Sequence, residues 1–306
     1  MALPLLLLAL LFGGVWAWAP DLDRAGLEAR HGGPPSEFVI VEGLRLHLRD
    51  SAPSGTSDDK PSVVLLHGFG SSLHSWDGWA GALAQGHRVL RIDLPGAALT
   101  GPDPSGDYSD ERAVRLLVAL LDARGIRSAH LVGHSMGGRI AWRFAAAQPA
   151  RVQRLVLIAP DGFPSPGFEI GKPPEVPAAA RLLPHALPRA SVRAALSAAW
   201  GDAMRLDEET VTRYHELLRA PGVRDAMLAR LRQLVPADPA PILRQIAAPT
   251  LLLWGGEDRL IPPAQAADYL RALPDARAVV LPGLGHVPQE EDAAGSLRPV
   301  IEFLDG

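Results

Sequence analysis

The pentapeptide GHSMG, Gly133 to Gly137, sets Ser135 between two glycines where a strand-like run (AHLV) meets a helix-like one (GGRIAWRFAAAQ) stopped by Pro149. A hydroxyl at such a junction stands clear of the backbone, at the positive end of the helix that follows. The turn is strained, and the positions two before and two after the serine come too close to carry a Cβ, hence Gly133 and Gly137. The plain alternative is a tight packing corner. The strand–turn–helix context favours a nucleophile on display.

A serine hydroxyl attacks a carbonyl only when a base takes its proton. Of the ten histidines, His286 follows the last strand-like run in a Gly-flanked turn, LPGLGHVPQEE, and is the candidate base. His134 lies inside the elbow and points into packing, while His67 ends a strand and braces the loop after it. The base needs a carboxylate to orient its ring and stabilise it when charged. Asp258, in LLLWGGEDRLIP, sits just past a strand end, and the chain order Ser…Asp…His suits this elbow. Adjacent Glu257 reads as solvated, and Asp161 in LIAPDGF is the reserve acid. Charge developing on a carbonyl oxygen needs donors already in place. The Gly-rich turn of LLHGFGSSLHSW offers the N–H of Phe69, and the residue after the serine offers that of Met136.

Elements must hold these groups together. Phe38 to Val41 and Leu44 to Leu48 alternate around Glu42–Gly43 and read as a hairpin. Continuous apolar runs then recur at VVLLH, HRVLRID, AHLVGH, RLVLIAP, TLLLWGG and ARAVVLPG, with helix-patterned segments between them. Asp110 to Arg124, for example, lines up Leu116, Leu117, Leu120 and Leu121. The prediction is an α/β fold: an eight-stranded, mostly parallel sheet with helices on both faces. Residues 161–247 break the alternation with prolines and amphipathic helices, one over Asp207 to Arg219, and read as an inserted helical cap over the strands' carboxyl ends. The expected divisions are 1–20 (anchor or signal), 21–36 (linker), 37–160 (first core part), 161–247 (cap) and 248–306 (second core part).

The chain has 306 residues, 47% hydrophobic and 21% charged, an ordinary globular composition. A net charge of −4 supplies no basic stripe for nucleic acid. With no cysteine there is no disulfide frame, thiolate metal site or cysteine nucleophile. The N-terminal run Ala2 to Ala19 carries no charge, and at the helical rise it would span about 27 Å. With Trp16 and Trp18 at its end it reads as a membrane anchor, leaving the catalytic part exported or periplasmic. A cleaved signal ending in AWA, giving a secreted protein, is the alternative, and a buried core helix is the third reading.

HGFG, DLPG, GHSMGG, GGEDRLIP and GLGHVPQEE occur in the order found in α/β-hydrolases, and the chain resembles that superfamily over residues 38–303. Within it, the chain is similar to membrane-anchored monoacylglycerol-lipase-like esterases, bacterial lipases and the carbon–carbon bond hydrolases of ring-cleavage pathways. The resemblance implies neither cofactor nor metal. The site residues read as a serine hydrolase of small-molecule carboxylic esters, and the anchor, by holding the pocket near a membrane, favours apolar or lipid-like ones of short to medium acyl length. A carbon–carbon hydrolase of vinylogous diketones, a lactonase or a perhydrolase would use the same triad. A non-catalytic binding protein on the same fold is the remaining reading. The oligomeric state is not legible. The family often shows D-x-x-G-x-G-x-S where this chain has DLPGAALT, so Ala98 and Thr100 leave the shape of the loop beneath the oxyanion turn open.

Overall fold

The computed structural model describes residues 18–52, 61–167 and 169–306. Eight strands form one sheet: β1 (Ser36–Val41), β2 (Leu44–Asp50), β3 (Ser62–Leu66), β4 (Arg88–Ile92), β5 (Ala129–His134), β6 (Val152–Ile158), β7 (Thr250–Gly255) and β8 (Ala276–Leu281). Their order is β1-β2-β4-β3-β5-β6-β7-β8. Strand β2 runs antiparallel to both neighbours, and all later pairs are parallel. The β1–β2 hairpin turns on Glu42 (φ 50°) and Gly43 (φ 80°), both left-handed, as a two-residue turn matched to strand twist requires.

The central strands β3 and β5 are buried along their whole length, which is why they read as continuous apolar runs. Strand β8 departs from that expectation: it is an edge strand with no fully buried residue, because it pairs only with β7. Helices cover both faces. On one, α3 (Asp110–Ala123), α4 (Met136–Ala147) and α9 (Ala266–Ala272) bury Leu116, Leu120, Ile140, Trp142 and Tyr269. On the other, α2 (Asp77–Gly86) and α10 (Ala293–Asp305) bury Trp79, Leu83, Leu297 and Phe303. Each large buried side chain removes enough apolar surface to contribute about 1.5–3 kcal/mol.

Between β6 and β7 the chain is helical: α5 (Arg189–Ala199), α6 (Glu208–Leu218), α7 (Val223–Gln233) and the short α8 (Ala240–Leu243). Helix α6 starts where its sequence says it should, with the Asp207 carboxylate accepting from Thr210 N–H at 2.7 Å. This insertion has its own small core of Val192, Leu196, Trp200, Leu206 and Val211. Helix α1 (Arg24–His31) packs Leu27 against Leu217, Ala220 and Val223 of the insertion.

The membrane-anchored localisation expected from the N-terminal run is overturned. No helix among the described residues is long and apolar enough to cross a membrane. Residues 1–17, including Trp16, lie outside the described residues. The end of the run, which should have finished a span, is built into the protein instead. Trp18 bridges Ala186 in antiparallel fashion and stacks on His185, and the buried Ala19 donates to His185 O at 2.8 Å. The buried Arg224 guanidinium donates to Ala19 O at 2.6 Å and to Asp21 at 2.7 Å. Hydropathy counts apolar residues but does not see these backbone partners.

Candidate active site

Ser135 occupies the left-handed side of backbone space, φ 52° and ψ −118°, a conformation that persists only where the surroundings hold it. They do. Its N–H donates to Ile158 O at 2.9 Å, and its carbonyl accepts from Asp161 N–H at 3.1 Å and Arg139 N–H at 3.0 Å. A Cβ on Gly133 would lie 2.4 Å from Gly137 O, and one on Gly137 would lie 2.3 Å from Leu66 O. Met136 is the first residue of α4, so its N–H has no partner inside the helix.

The His286 Nδ1–H donates to Asp258 Oδ2 at 2.8 Å, since a carboxylate can only accept. The other Asp258 oxygen accepts from Leu260 and Ile261 N–H, both at 2.9 Å, so the carboxylate is fixed at both ends. Adjacent Glu257 is exposed. Asp161 is not on His286: it pairs with the buried Arg139, which also bonds Asp110 at 3.1 Å. Ser135 and His286 line the same cavity without a direct hydrogen bond among the described residues, a looseness common in unliganded sites.

The backbone of His286 is held from two sides. Its N–H donates to Ala199 O of the insertion at 2.7 Å, and its carbonyl accepts from His134 Nε2–H at 2.7 Å. Burial, and then the neighbouring His286, push the His134 pKa well below the ordinary histidine value, so this brace is a neutral imidazole. Glu291 accepts from Gly285 and Gly201 N–H, both at 2.8 Å, tying the loop to the insertion again.

The Phe69 turn rests on a buried polar framework. His67 accepts from Leu94 N–H on Nε2 and donates from Nδ1 to Gly68 O at 2.8 Å. Asp93 accepts from His47, Leu73 N–H and Leu99 N–H. Burial opposes its charge, but His47 prevails and the carboxyl is held down at about 2. The unusual loop fits beneath. Ala98 takes φ 42°, and the Thr100 hydroxyl donates to Asp93 O and accepts from His47 N–H.

Phe69, Ser135, Met136 and His286 open onto a cavity of about 600 Å³. Leu187, Val192, Leu196, Leu218, Leu231 and Leu234 of the insertion make its far wall predominantly apolar. Arg139, Asp161 and Arg230 reach the same cavity. Arg230 donates to Pro95 O at 2.6 Å and Tyr108 O at 3.2 Å, with no carboxylate partner among the described residues. Burial, then the neighbouring Arg139, pull its pKa down to about 10. Sequence reading missed both arginines. An arginine inside the apolar run GGRIAW was the available signal for Arg139, whereas Arg230 sits in a helix with many charges and had none.

A family model described as alpha/beta hydrolase fold matches residues 61–293, and the chain belongs to that family. Among its relatives is a 2-hydroxy-6-oxononadienedioate/2-hydroxy-6-oxononatrienedioate hydrolase of Burkholderia vietnamiensis, 33% identical over 283 residues, covering 87% of this chain and 93% of the relative. A Pseudomonas savastanoi pv. phaseolicola protein named as a carbamate hydrolase is 32% identical over 257 residues, covering 81% and 95%. Among solved structures, one described as a membrane phospholipase A and a bacterial virulence factor superposes with a TM-score of 0.76 at 27% identity, covering 99% of this chain and 96% of that one. The chain is therefore a hydrolase of the α/β-hydrolase superfamily with a small-molecule substrate.

Proposed function

We propose that the protein hydrolyses carboxylic esters with an apolar acyl group, through an acyl-enzyme on Ser135. The observation that carries this reading is a strained serine lining an apolar cavity that His286, paired with Asp258, also lines. His286 Nε2 takes the hydroxyl proton as Ser135 Oγ bonds to the acyl carbon, and the oxyanion is received by the Phe69 and Met136 N–H groups. Collapse breaks the acyl–oxygen bond, and the alcohol leaves with the proton returned by His286. Water, giving a proton to His286, then attacks the acyl carbon, and the acid departs as Ser135 recovers its proton. The helical insertion serves as a cap, its leucines and Trp200 enclosing the acyl chain. The solved phospholipase adds support, since its name describes an ester hydrolase.

A second reading, hydrolysis of a carbon–carbon bond in a vinylogous diketone, is favoured by the names of the curated relatives and by the Arg230 guanidinium at the cavity wall. Initial rates on p-nitrophenyl esters from acetyl to palmitoyl, beside Ser135→Ala, separate the two. Wild-type turnover with a silent alanine variant supports the esterase. Wild-type inactivity on every ester, with turnover of a 2-hydroxy-6-oxo-dienoate, would replace it with the second reading.

A further inference from the structure

Gly68, Phe69, Gly70 and Ser71 form a turn closed by Ser71 N–H to Gly68 O at 3.3 Å, and Gly70 has φ 68°, as a type II turn asks of its third residue. The entry of the turn is fixed from the body by His67, which donates to Gly68 O. Its exit is fixed from the insertion. Ser71 Oγ lies 3.0 Å from the Tyr214 hydroxyl of α6, the turn's one hydrogen bond to the insertion among the described residues. A Cβ built on Gly70 would lie 3.5 Å from the Met227 side chain and 3.9 Å from that of Leu218, both of the insertion.

The Tyr214 proton has a definite destination. The hydroxyl donates to Glu290 Oε1 at 2.5 Å, and the other Glu290 oxygen is paired with Arg213. The tyrosine oxygen is therefore left to accept from Ser71. Glu290 is four residues beyond His286, and its N–H donates to Val287 O at 2.9 Å. One hydroxyl thus joins the turn that presents the Phe69 amide to the segment that carries the base.

We propose that Tyr214 is a positioning residue for the reaction, holding the Phe69 turn through Ser71 and the His286 segment through Glu290. This rests on the serine-hydrolase reading above. The position of α6 against the cavity and the placement of the oxyanion donors are then coupled through one hydroxyl. A misplaced amide donor weakens the transition state and leaves ground-state binding of the ester almost untouched.

The test uses Tyr214→Phe, Ser71→Ala and their double variant, with p-nitrophenyl butyrate as substrate and a trifluoromethyl ketone as tetrahedral mimic. Each single variant is expected to lower kcat about tenfold, with KM changed less than about twofold and the ketone weakened about tenfold. The double variant should be no worse than Tyr214→Phe alone, because that substitution already cuts the link Ser71→Ala removes, along with the one to Glu290. Wild-type kcat and ketone affinity in either single variant, or losses that multiply in the double, would overturn the proposal, whatever happens to Tm. A wild-type enzyme inert on every ester would remove the underlying reading and the proposal with it. An active wild type beside an unimpaired Tyr214→Phe removes the proposal alone.

Discussion

Ser135 and His286 face one cavity, yet what stands behind them differs. Behind Ser135 is sheet: Gly133 and Gly137 pack backbone on backbone, and the serine amide bonds Ile158 of β6. Behind His286 is the helical insertion. Ala199 accepts its amide, Gly201 and Gly285 share the Glu291 carboxylate, and a Cβ on Gly285 would lie 2.3 Å from Ala199 O. One half of the site is therefore fixed by the sheet alone, the other by the sheet, through Asp258 and His134, together with the smaller core of the insertion. A site built this way can lose its geometry without losing its fold.

The largest effect should come from the core side. In Gly137→Ala the new Cβ meets the Leu66 and His67 carbonyls at 2.3 and 2.5 Å, and neither strand backbone can yield. Destabilisation of about 4 kcal/mol or more is expected. Thermal or urea unfolding measures it, and a near-native Tm would mean the elbow is less tightly built than its contacts indicate. Asp258→Asn should behave oppositely. The fold survives, but the amide can present its N–H toward His286 Nδ1 and favour the wrong ring tautomer, lowering kcat by roughly 10³–10⁴. A variant within tenfold of wild type would point to a different partner for the ring.

The insertion side is sharpened by Glu291→Gln, which leaves one of two backbone donors, Gly201 or Gly285 N–H, facing an amide NH₂. A loss of about 1–2 kcal/mol in stability is expected. With His286 displaced rather than removed, kcat should fall about tenfold and KM little. Equal losses of kcat in Glu291→Gln and in a distant destabilised variant such as Arg224→Ala would show that the loop follows global stability instead. Arg224 donates to Ala19, Leu183 and Asp21 and is remote from the chemistry.

That division also governs what could be read from sequence. The elbow was legible because its constraints are local: glycines two before and two after a serine, next to strands buried enough to be apolar throughout. The pairing of Asp258 with His286 was legible because each follows a strand, and strand ends share an edge. The support of His286 was not. Ala199, Gly201 and Tyr214 are of ordinary types and lie far before His286 and Glu290 in sequence, and only the packed insertion brings the two segments together. The anchor reading of the N-terminal run failed for the same reason, since Arg224 and His185, far along the chain, bond the backbone of its last residue, Ala19. Strand β8 read as buried because an apolar run does not say whether a second neighbour exists.

Acid offers the gentlest way to test the comparison, because buried histidines lie on both the body and the seam. Burial pushes His67 and His134 below the usual histidine range and takes His74 and His130 to about 4. Folded, these rings stay neutral, whereas the unfolded chain takes up protons below about pH 6.5. Stability from this source is therefore complete above that pH and lost as pH falls from 6.5 towards 4. Asp93, held at about 2, adds its own loss only below the ordinary carboxylate range. Glu290 and Glu291 have the opposite sign. Burial raises both, so protonation just above their usual range favours the fold and offsets part of the histidine loss. Tm should thus decline from pH 6.5 to 4, less steeply than the histidines alone would give. His134→Gln can still donate to His286 O but has no ring to protonate, so it should flatten that decline while kcat near pH 7.5 stays within about threefold of wild type. An unchanged slope would assign the acid response to the other rings, leaving His134 a brace without a titration of its own.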